Sequence, residues 1–264
     1  MLIYLFNLNL VSFTFGECQM KKFILLIVIP LIISACSEDD TTLGGSTNVE
    51  FTAVGSKTYV YTTIPGMGDI SSEPVVTENR KGNVVVEGRI TTSIDFIRKL
   101  DSLFGTAQLP KPLKDALREK AIRHFAAKID SSDLNNIKID YKIKAKVTSE
   151  GMQDYIHSEG DESKPFLLVK YNAKVGDKYT FKDKDGNKFV REVTYRSKTD
   201  DFEIAFWLIK VIKVEETVSD GPLKDLFGKV IYYTNHQFGL VGVEWESPDK
   251  SRKLKLTIFP SNLN

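Results

Sequence analysis

The side chain with the sharpest potential chemistry is the thiol of Cys36, which lies in the stretch LIISACSEDD between an apolar run and an acidic run. Two lysines precede the apolar run over residues 23–33, and two small residues follow it. A basic segment, a short apolar segment and a small-residue cleavage site, in this order, make up a secretory signal peptide. The run is too short to span a membrane, which takes about 20 apolar residues. We therefore expect residues 20–35 to be a signal peptide.

Residues 1–19 fit this signal poorly, because their apolar run has no basic residue ahead of it. We interpret Met20 as the start of the protein and residues 1–19 as an upstream extension of the reading frame. The alternative is an unusually long signal peptide that is removed as well. Under either interpretation Cys18 is lost from the mature chain.

Ile33, Ser34, Ala35 and Cys36 resemble the lipobox of bacterial lipoproteins, which has an aliphatic residue, two small residues and an obligatory cysteine. The resemblance implies that the Cys36 thiol takes a diacylglycerol, that a peptidase cuts before it, and that the new amine is acylated. Each buried CH₂ contributes about 0.8 kcal/mol, so two or three acyl chains hold a protein on a membrane where one holds it only marginally. The membrane is then a partner through the lipid, and we expect no cofactor besides these acyl chains.

Ser37, Glu38, Asp39 and Asp40 resemble the export signal of Bacteroidetes surface lipoproteins, in which an acidic cluster follows the lipidated cysteine. This resemblance implies a lipid-anchored protein at the surface of the outer membrane, delivered by the lipoprotein processing and export machinery. The alternative is a solvated acidic linker. Since residues 41–48, TTLGGSTN, hold no large apolar residue except Leu43, we expect residues 36–48 to be a lipidated cysteine followed by a flexible tether.

Composition excludes several classes of function. Removing residues 1–35 takes away two basic residues and one acidic residue, so the 36 basic and 35 acidic residues of the chain become 34 of each. A balanced charge disfavours nucleic acid as a partner, because nucleic-acid-binding proteins carry a basic field. Cys36 is the only cysteine left, so we expect no disulfide, no thiol nucleophile and no cysteine metal site.

Other candidates for chemistry are weak. His124, His157 and His236 show no HExxH or HxH spacing, and no GxSxG motif is present, so the sequence predicts neither a metal site nor a catalytic residue. Residues 183–187, DKDGN, match part of a calcium loop, but the first ligand position holds Phe181. A hairpin turn is the better interpretation, because Asp-Gly lies between two strand-like runs.

The elements that must position these residues follow from periodicity. Residues 57–64 predict a strand, and the valine-rich runs on either side of Lys81-Gly82 predict a hairpin. Thr92 or Ser93 can cap a helix that starts at Ile94, and a second apolar stripe predicts a helix over residues 113–129. Each helix has one apolar stripe, so each needs a partner surface.

Residues 137–147 alternate apolar and charged side chains, which predicts a strand with one face in the core. The polar stretch 158–165 suggests a boundary between residues 49–157, with strands and the helix pair, and residues 165–264, with strands only. The strand-like runs after the boundary are 166–171, 178–182, 188–195, 202–218, 229–234, 240–246 and 253–259.

Trp207, Tyr232, Tyr233 and Trp245 lie in these strand-like runs. Aromatic platforms bind sugars, so the four residues are candidates for a ligand-binding surface. The alternative, which the pattern favours, is sheet core and cross-strand pairing.

The stretches around Gly176-Asp177 and Gly239 resemble turns that recur in the antiparallel sheets of uncharacterised bacterial lipoproteins, over about residues 165–260. Strands, then two helices, then strands predict an α+β fold. We expect a large curved antiparallel sheet, similar to the half-barrel of lipoprotein carriers, with the two-helix insertion packed on one face.

The sequence thus predicts a non-enzymatic, lipid-anchored envelope protein that binds an unknown ligand. One alternative is a periplasm-facing carrier that holds a lipid or an envelope component in the concave sheet. Another is a glycan-binding or hydrolytic accessory protein.

Overall fold

The structure, a computed structural model, describes residues 42–64, 68–103, 111–204, 207–225 and 228–260. Cys36, the other lipobox residues Ile33–Ala35 and the acidic segment Ser37–Asp40 lie outside these ranges, so their assignments stay predictions. Within the described ranges, none of the helices has the length and apolarity needed to cross a membrane.

Sixteen strands and two α-helices make up the described fold. The elements up to residue 154 are β1 Thr58–Ile64, β2 Gly68–Ser72, β3 Val75–Arg80, β4 Asn83–Thr92, α1 Ile94–Leu103, α2 Lys111–His124, β5 Lys128–Asp130, β6 Ile137–Thr148 and β7 Gly151–Asp154. The remaining elements are β8 Phe166–Lys170, β9 Lys178–Lys182, β10 Lys188–Arg196, β11 Phe202–Ile204, β12 Trp207–Ile209, β13 Ile212–Asp220, β14 Lys229–Asn235, β15 Gly239–Glu246 and β16 Lys253–Pro260.

Two large antiparallel sheets dominate the fold, which confirms the predicted α+β class. One sheet has eight strands in the order β2-β1-β16-β15-β14-β13-β10-β9. The other has the order β3-β4-β6-β7-β8, with β5 added on β6, and β11 and β12 form a small separate hairpin. The segment predicted to follow the boundary at residue 165 therefore supplies β8 to the smaller sheet and β9–β16 to the larger sheet and the hairpin.

The inner faces of the two large sheets share one hydrophobic core. Val84, Val147 and Phe166 from the six-stranded sheet belong to the same buried cluster as Phe189 and Val214 from the eight-stranded sheet. Burial alternates along β10 and β13, as expected for strands with one face in a core. The core therefore lies between the sheets, as in a sandwich.

Both predicted hairpin turns are confirmed. β3 and β4 pair across Lys81 and Gly82, whose φ angles of 53° and 86° are the positive values that a type I′ turn requires. β9 and β10 pair across residues 183–187, where Gly186 has a φ of 87°.

The first helix begins where the sequence predicts, and the second ends earlier. The hydroxyl of Ser93 accepts a hydrogen bond from the backbone N–H of Phe96, which caps α1 at its N-terminus. The prediction that the second helix reaches residue 129 is wrong, because α2 ends at His124 and Ala126 takes a φ of 43°. Ile129 instead pairs with Ile139 in the sheet. A hydrogen-bonded place in a sheet here outweighs helical periodicity.

The single strand-like run predicted over residues 202–218 is divided among three strands. Its first part forms the β11–β12 hairpin, and its second part forms most of β13. Ile204 and Ile209 of the hairpin pack with Val211 and Val241 in a second, smaller core. The hairpin therefore covers part of the outer face of the eight-stranded sheet.

The prediction of a flexible tether up to residue 48 is wrong at its C-terminal end. Leu43 is only 5% exposed and belongs to the main core, where its Cδ2 faces Gly151. The backbone of Ser46 exchanges two hydrogen bonds with Ser149, one to the Ser149 hydroxyl and one from its N–H. Leu43 is buried in the core, and Val49 and Phe51 pack against the same core, so apolar contacts dock this otherwise polar segment. We call residues 42–52 the strap.

The strap crosses one end of the sandwich. Thr47 lies against Gly82 in the β3–β4 turn, Phe51 lies against Gly239 in the β14–β15 turn, and Ser149 begins the β6–β7 turn. We call this the strap end. The opposite end, with the 183–187 turn, α2 and the loop that carries Leu134, is the helix end. The 12 residues of β6 run from the helix end to the strap end.

Replacing Leu43 with alanine should lower the free energy of unfolding by about 2–4 kcal/mol, because it removes buried methyl groups from a core position. Urea denaturation followed by tryptophan fluorescence measures this change. Leu134→Ala is the matched control, since Leu134 is 53% exposed and its loss should change stability by less than about 0.5 kcal/mol. Equal stability of the two variants would contradict the docking of the strap.

Candidate functional site

The most unusual side chain in the core is Arg191, which is fully buried between the two sheets. Its Nε donates a hydrogen bond of 2.7 Å to Glu216 Oε2, and its Nη1 donates one of 3.1 Å to the carbonyl oxygen of Phe166. Its Nη2 lies 2.8 Å from Asp154 Oδ2. The guanidinium also lies 3.8 Å above the centroid of the Phe166 ring, in a cation–π contact.

Glu216 is the second fully buried charge. Tyr232 donates its hydroxyl to Glu216 Oε2 at 3.1 Å, and His157 Nε2 lies 3.0 Å from Oε1. Burial alone would raise the pKa of Glu216, but Arg191 and His157 outweigh it and hold this pKa at about 2. Since an ionised carboxylate only accepts, His157 Nε2 is the donor in this contact.

Arg191, Glu216, Asp154, His157 and Tyr232 form what we call the core polar cluster. Sequence reasoning missed it, although a signal was present. Arg191 lies between Phe189 and Val193 on β10, and Glu216 between Val214 and Val218 on β13, each at a position whose phase is core-facing. Arg191 and Glu216 are also direct partners in the strand register. A charged residue at a core-facing position of each of two neighbouring strands therefore indicates a buried ion pair.

The core polar cluster has the properties of a structural element. The side chains of Arg191 and Glu216 are 0% exposed and that of His157 is 2% exposed. The His157 ring is stacked on Phe189 at 3.9 Å between centroids. These enclosed charges form ion pairs with one another, and a substrate cannot reach them.

A second polar contact connects α2 to the β9–β10 turn. Lys120 Nζ lies 3.0 Å from Asp183 Oδ2 and 2.8 Å from Asp185 Oδ2, and its side chain is 8% exposed. Asp183 also accepts hydrogen bonds from the backbone N–H groups of Asp185 and Asn187. The lysine ammonium thus occupies the position between the carboxylates that a calcium ion would need. Glu192 lies six residues after Gly186, where a calcium loop has its last ligand, but it pairs instead with Lys178.

The three histidines are divided between the two ends. The rings of His124 and His157 lie 6.0 Å apart, whereas His236 lies 6.4 Å from the Tyr171 ring. Burial, together with the nearby His157 and Lys120, lowers the pKa of His124 to about 3, so this ring is neutral at physiological pH. Among the residues that the structure describes, no group of three or more His, Cys, Asp or Glu side chains could hold a metal ion.

The structure does not bring the four predicted aromatic residues together. Tyr232 and Trp245 are 6% and 7% exposed and belong to the main core. Tyr233 lies on the opposite face of β14, against the smaller core. Trp207 is 47% exposed on β12. Alternation along β14 separates the neighbours Tyr232 and Tyr233, because successive side chains of a strand point to opposite faces.

A different aromatic group lies on the outer face of the eight-stranded sheet. Tyr59, Tyr61 and Phe259 contact one another with centroid distances of 5.2–6.3 Å, and Phe202 stacks on Tyr233 at 4.7 Å. We call these five residues the aromatic face.

The aromatic face contains open and polar parts as well as rings. Gly242 pairs with both Tyr233 and Thr257, and Thr257 pairs with Tyr61, so a glycine and a threonine lie between the two aromatic groups. Tyr61 is 38% exposed, which leaves part of its ring accessible. Lys255 Nζ lies 5.3 Å from the Phe202 centroid, and Tyr233 donates to Glu244 at 3.4 Å. Rings with polar groups at their margin are a typical arrangement for a ligand that has both an apolar face and hydroxyl groups.

A polar groove of about 370 Å³ lies on the outer face of the six-stranded sheet. Its walls include Glu78, Arg80 and Tyr155, and Lys144 pairs with Glu162 across it at 2.9 Å. The Tyr155 ring is 3% exposed, so it offers no stacking surface. The groove therefore lacks the exposed aromatic ring on which a sugar could stack, whereas the aromatic face has one.

Comparisons with known proteins give no match to this chain among family models, curated proteins or solved structures.

Replacing Arg191 with methionine should lower the free energy of unfolding by about 3–5 kcal/mol, because Glu216 and Asp154 would be left buried without a countercharge. Urea denaturation measures the change. Arg89→Met is the control: Arg89 makes a similar two-point contact with Asp140, but at an exposed site, and should cost less than about 1 kcal/mol. A loss at Arg191 no larger than that at Arg89 would refute the importance of the core pair.

Proposed function

We propose that this protein is a lipid-anchored protein of the bacterial cell envelope, exposed at the surface of the outer membrane, that binds a carbohydrate without catalysis. The observation that carries the anchor is the order of two lysines, an apolar run and the residues Ile33–Cys36. A buried core helix would account for the apolar run but for neither flank.

The docked strap supports this interpretation. Cys36 precedes Leu43 by seven positions, and Leu43 is held in the core. A chain that is anchored by lipid at Cys36 would therefore pass directly into the folded domain at one of its ends. This arrangement is mechanically suited to holding a domain at a membrane surface.

The aromatic face is the proposed binding surface. A sugar ring presents a face of C–H groups that packs on an aromatic ring, and its hydroxyls need polar partners nearby. Tyr61 supplies an accessible ring, while Lys255 and Glu244 supply a charged donor and acceptor next to Phe202 and Tyr233. The core polar cluster contributes to the stability of the sheet behind this surface rather than to binding.

The carrier alternative has less support. A carrier needs open apolar volume inside the concave sheet, whereas here the inner faces pack on each other through Phe166, Phe189 and Trp245. A hydrolytic role likewise finds little support, since the carboxylates Asp154 and Glu216 are buried in ion pairs.

The lipid anchor and the surface location can be tested in a bacterial host that processes such lipoproteins. Cys36→Ala should move the protein from the membrane fraction to the soluble fraction, because no acyl chain can be attached. Protease added to intact cells should digest the wild-type protein and spare a variant in which Glu38, Asp39 and Asp40 are alanine. Retention of Cys36→Ala in washed membranes would contradict the anchor, and equal protection of the wild type and the triple variant would contradict surface exposure.

The binding surface can be tested on an array of neutral and acidic polysaccharides. The wild-type protein should bind at least one polysaccharide, and Tyr61→Ala should bind it about tenfold more weakly, equivalent to about 1.4 kcal/mol. Tyr195→Ala is the matched control, because Tyr195 is 44% exposed and lies outside the aromatic face. Binding to no polysaccharide, or an equal loss in both variants, would contradict the assignment.

A further inference from the structure

Three large apolar side chains are exposed in loops and in a hairpin at the strap end. Val175 is 62% exposed, Trp207 is 47% exposed and Leu208 is 59% exposed. Single exposed apolar residues are common on protein surfaces and need no explanation. A group at the end where the chain enters from Cys36 indicates a contact surface.

Backbone contacts link these residues to the strap. Glu150, next to the Ser46–Ser149 contact, accepts a hydrogen bond from the N–H of Tyr171, where the loop with Val175 begins. Arg196, at the end of β10, donates to the carbonyl oxygens of Tyr171 and Ala173.

The hairpin with Trp207 and Leu208 leaves the sheet at the same level. Its base is closed by the hydrogen bond from Ser197 N–H to the Val211 carbonyl, one residue beyond Arg196. Its side chains pack on Phe238 and Phe259 at the same end of the eight-stranded sheet. The loop, the hairpin and the strap therefore belong to one end of the molecule.

The covalent chain limits how far this end can lie from a lipid at Cys36. Cys36 precedes Thr42 by six positions, and a fully extended chain covers at most about 3.6 Å per residue, or about 22 Å in total. Leu43 is fixed in the core, so the strap end cannot move further away without unfolding the strap.

We propose that the strap end rests on the lipid surface, with Trp207 and Leu208 inserted in the interfacial layer and Val175 beside them. This inference rests on the proposed lipid anchor at Cys36. Tryptophan favours the membrane–water interface because its ring is apolar and its N–H is polar. The charges near the hairpin are mixed, with Lys198 and Lys210 against Asp200, Asp201 and Glu203, so the attraction is apolar rather than electrostatic.

The orientation has a consequence for the ligand. The strands run between the two ends, so the aromatic face would stand upright on the membrane and face sideways. The helix end, with Leu134, would be furthest from the lipid.

The test uses the full lipidated protein in phosphatidylcholine vesicles whose acyl chains carry bromine near the headgroup. The chain has two tryptophans, and Trp245 is buried in the core, so bromine should quench Trp207 alone. Bromine should lower wild-type emission to about two thirds of its value in unbrominated vesicles and leave that of Trp207→Phe unchanged, since one of the two emitters contacts the interface. Equal quenching in both proteins, or no quenching in either, would overturn the proposal.

A matched pair of variants tests the end of the molecule that makes the contact. Leu208→Glu should abolish the bromine quenching of Trp207, whereas Leu134→Glu, at the opposite end, should leave it unchanged. A mass measurement of the N-terminal peptide separates the two ideas. Absence of acyl mass at Cys36 refutes the anchor itself, while acyl mass with unquenched Trp207 refutes only the orientation.

Discussion

The buried pair of Arg191 and Glu216 constrains the rest of the structure. The two residues are opposite each other on β10 and β13, and both are fully enclosed between the sheets. Charges in such a place are tolerated only when their partners are present, since removal of one leaves the other without solvation or countercharge. Asp154 from β7 completes the contact, so the pair also fixes the six-stranded sheet against the eight-stranded sheet.

This constraint also acts on strand register. A shift of β10 by one residue would turn Arg191 towards solvent and leave Glu216 alone in the core. Register irregularities lie on both sides of the pair, between Lys188 and Phe189 and between Val193 and Tyr195. The segment between them, with Arg191 at its centre, is therefore held in one alignment. The face of β13 and β14 that carries Lys213 and Tyr233 is turned outward as a result.

The two ends of the sandwich are held by different kinds of interaction. At the helix end, Lys120 connects α2 to the carboxylates of the β9–β10 turn. At the strap end, Leu43 and the Ser46–Ser149 contacts hold the segment that leads towards Cys36. An anchored protein with this architecture would have one end at the membrane and a sheet face free for a ligand. The apolar hairpin at Trp207 and Leu208 fits the first role, and the aromatic face fits the second.

Local patterns in the sequence determined most of the longer strands, both tight turns and the start of α1, because each depends on neighbouring residues. The alternation over residues 137–147 corresponds to β6, and Asp185-Gly186 lies in the turn between β9 and β10. The prediction of Cys36 as a lipidation site is likewise local. The end of α2 was not predictable, since Ile129 leaves the helical pattern to pair with Ile139 in the sheet.

The pairing of distant strands sets which aromatic residues share a surface. Tyr232 and Tyr233 are neighbours in sequence but lie on opposite faces of β14, while Tyr61 and Phe259 are almost 200 positions apart and touch. The sequence also did not predict three contacts: the docking of Leu43, the contact of Arg191 with Asp154 and the position of Lys120 between two carboxylates. Each depends on the pairing of distant strands or on the packing of one sheet upon another, and local periodicity carries no information about these long-range partners.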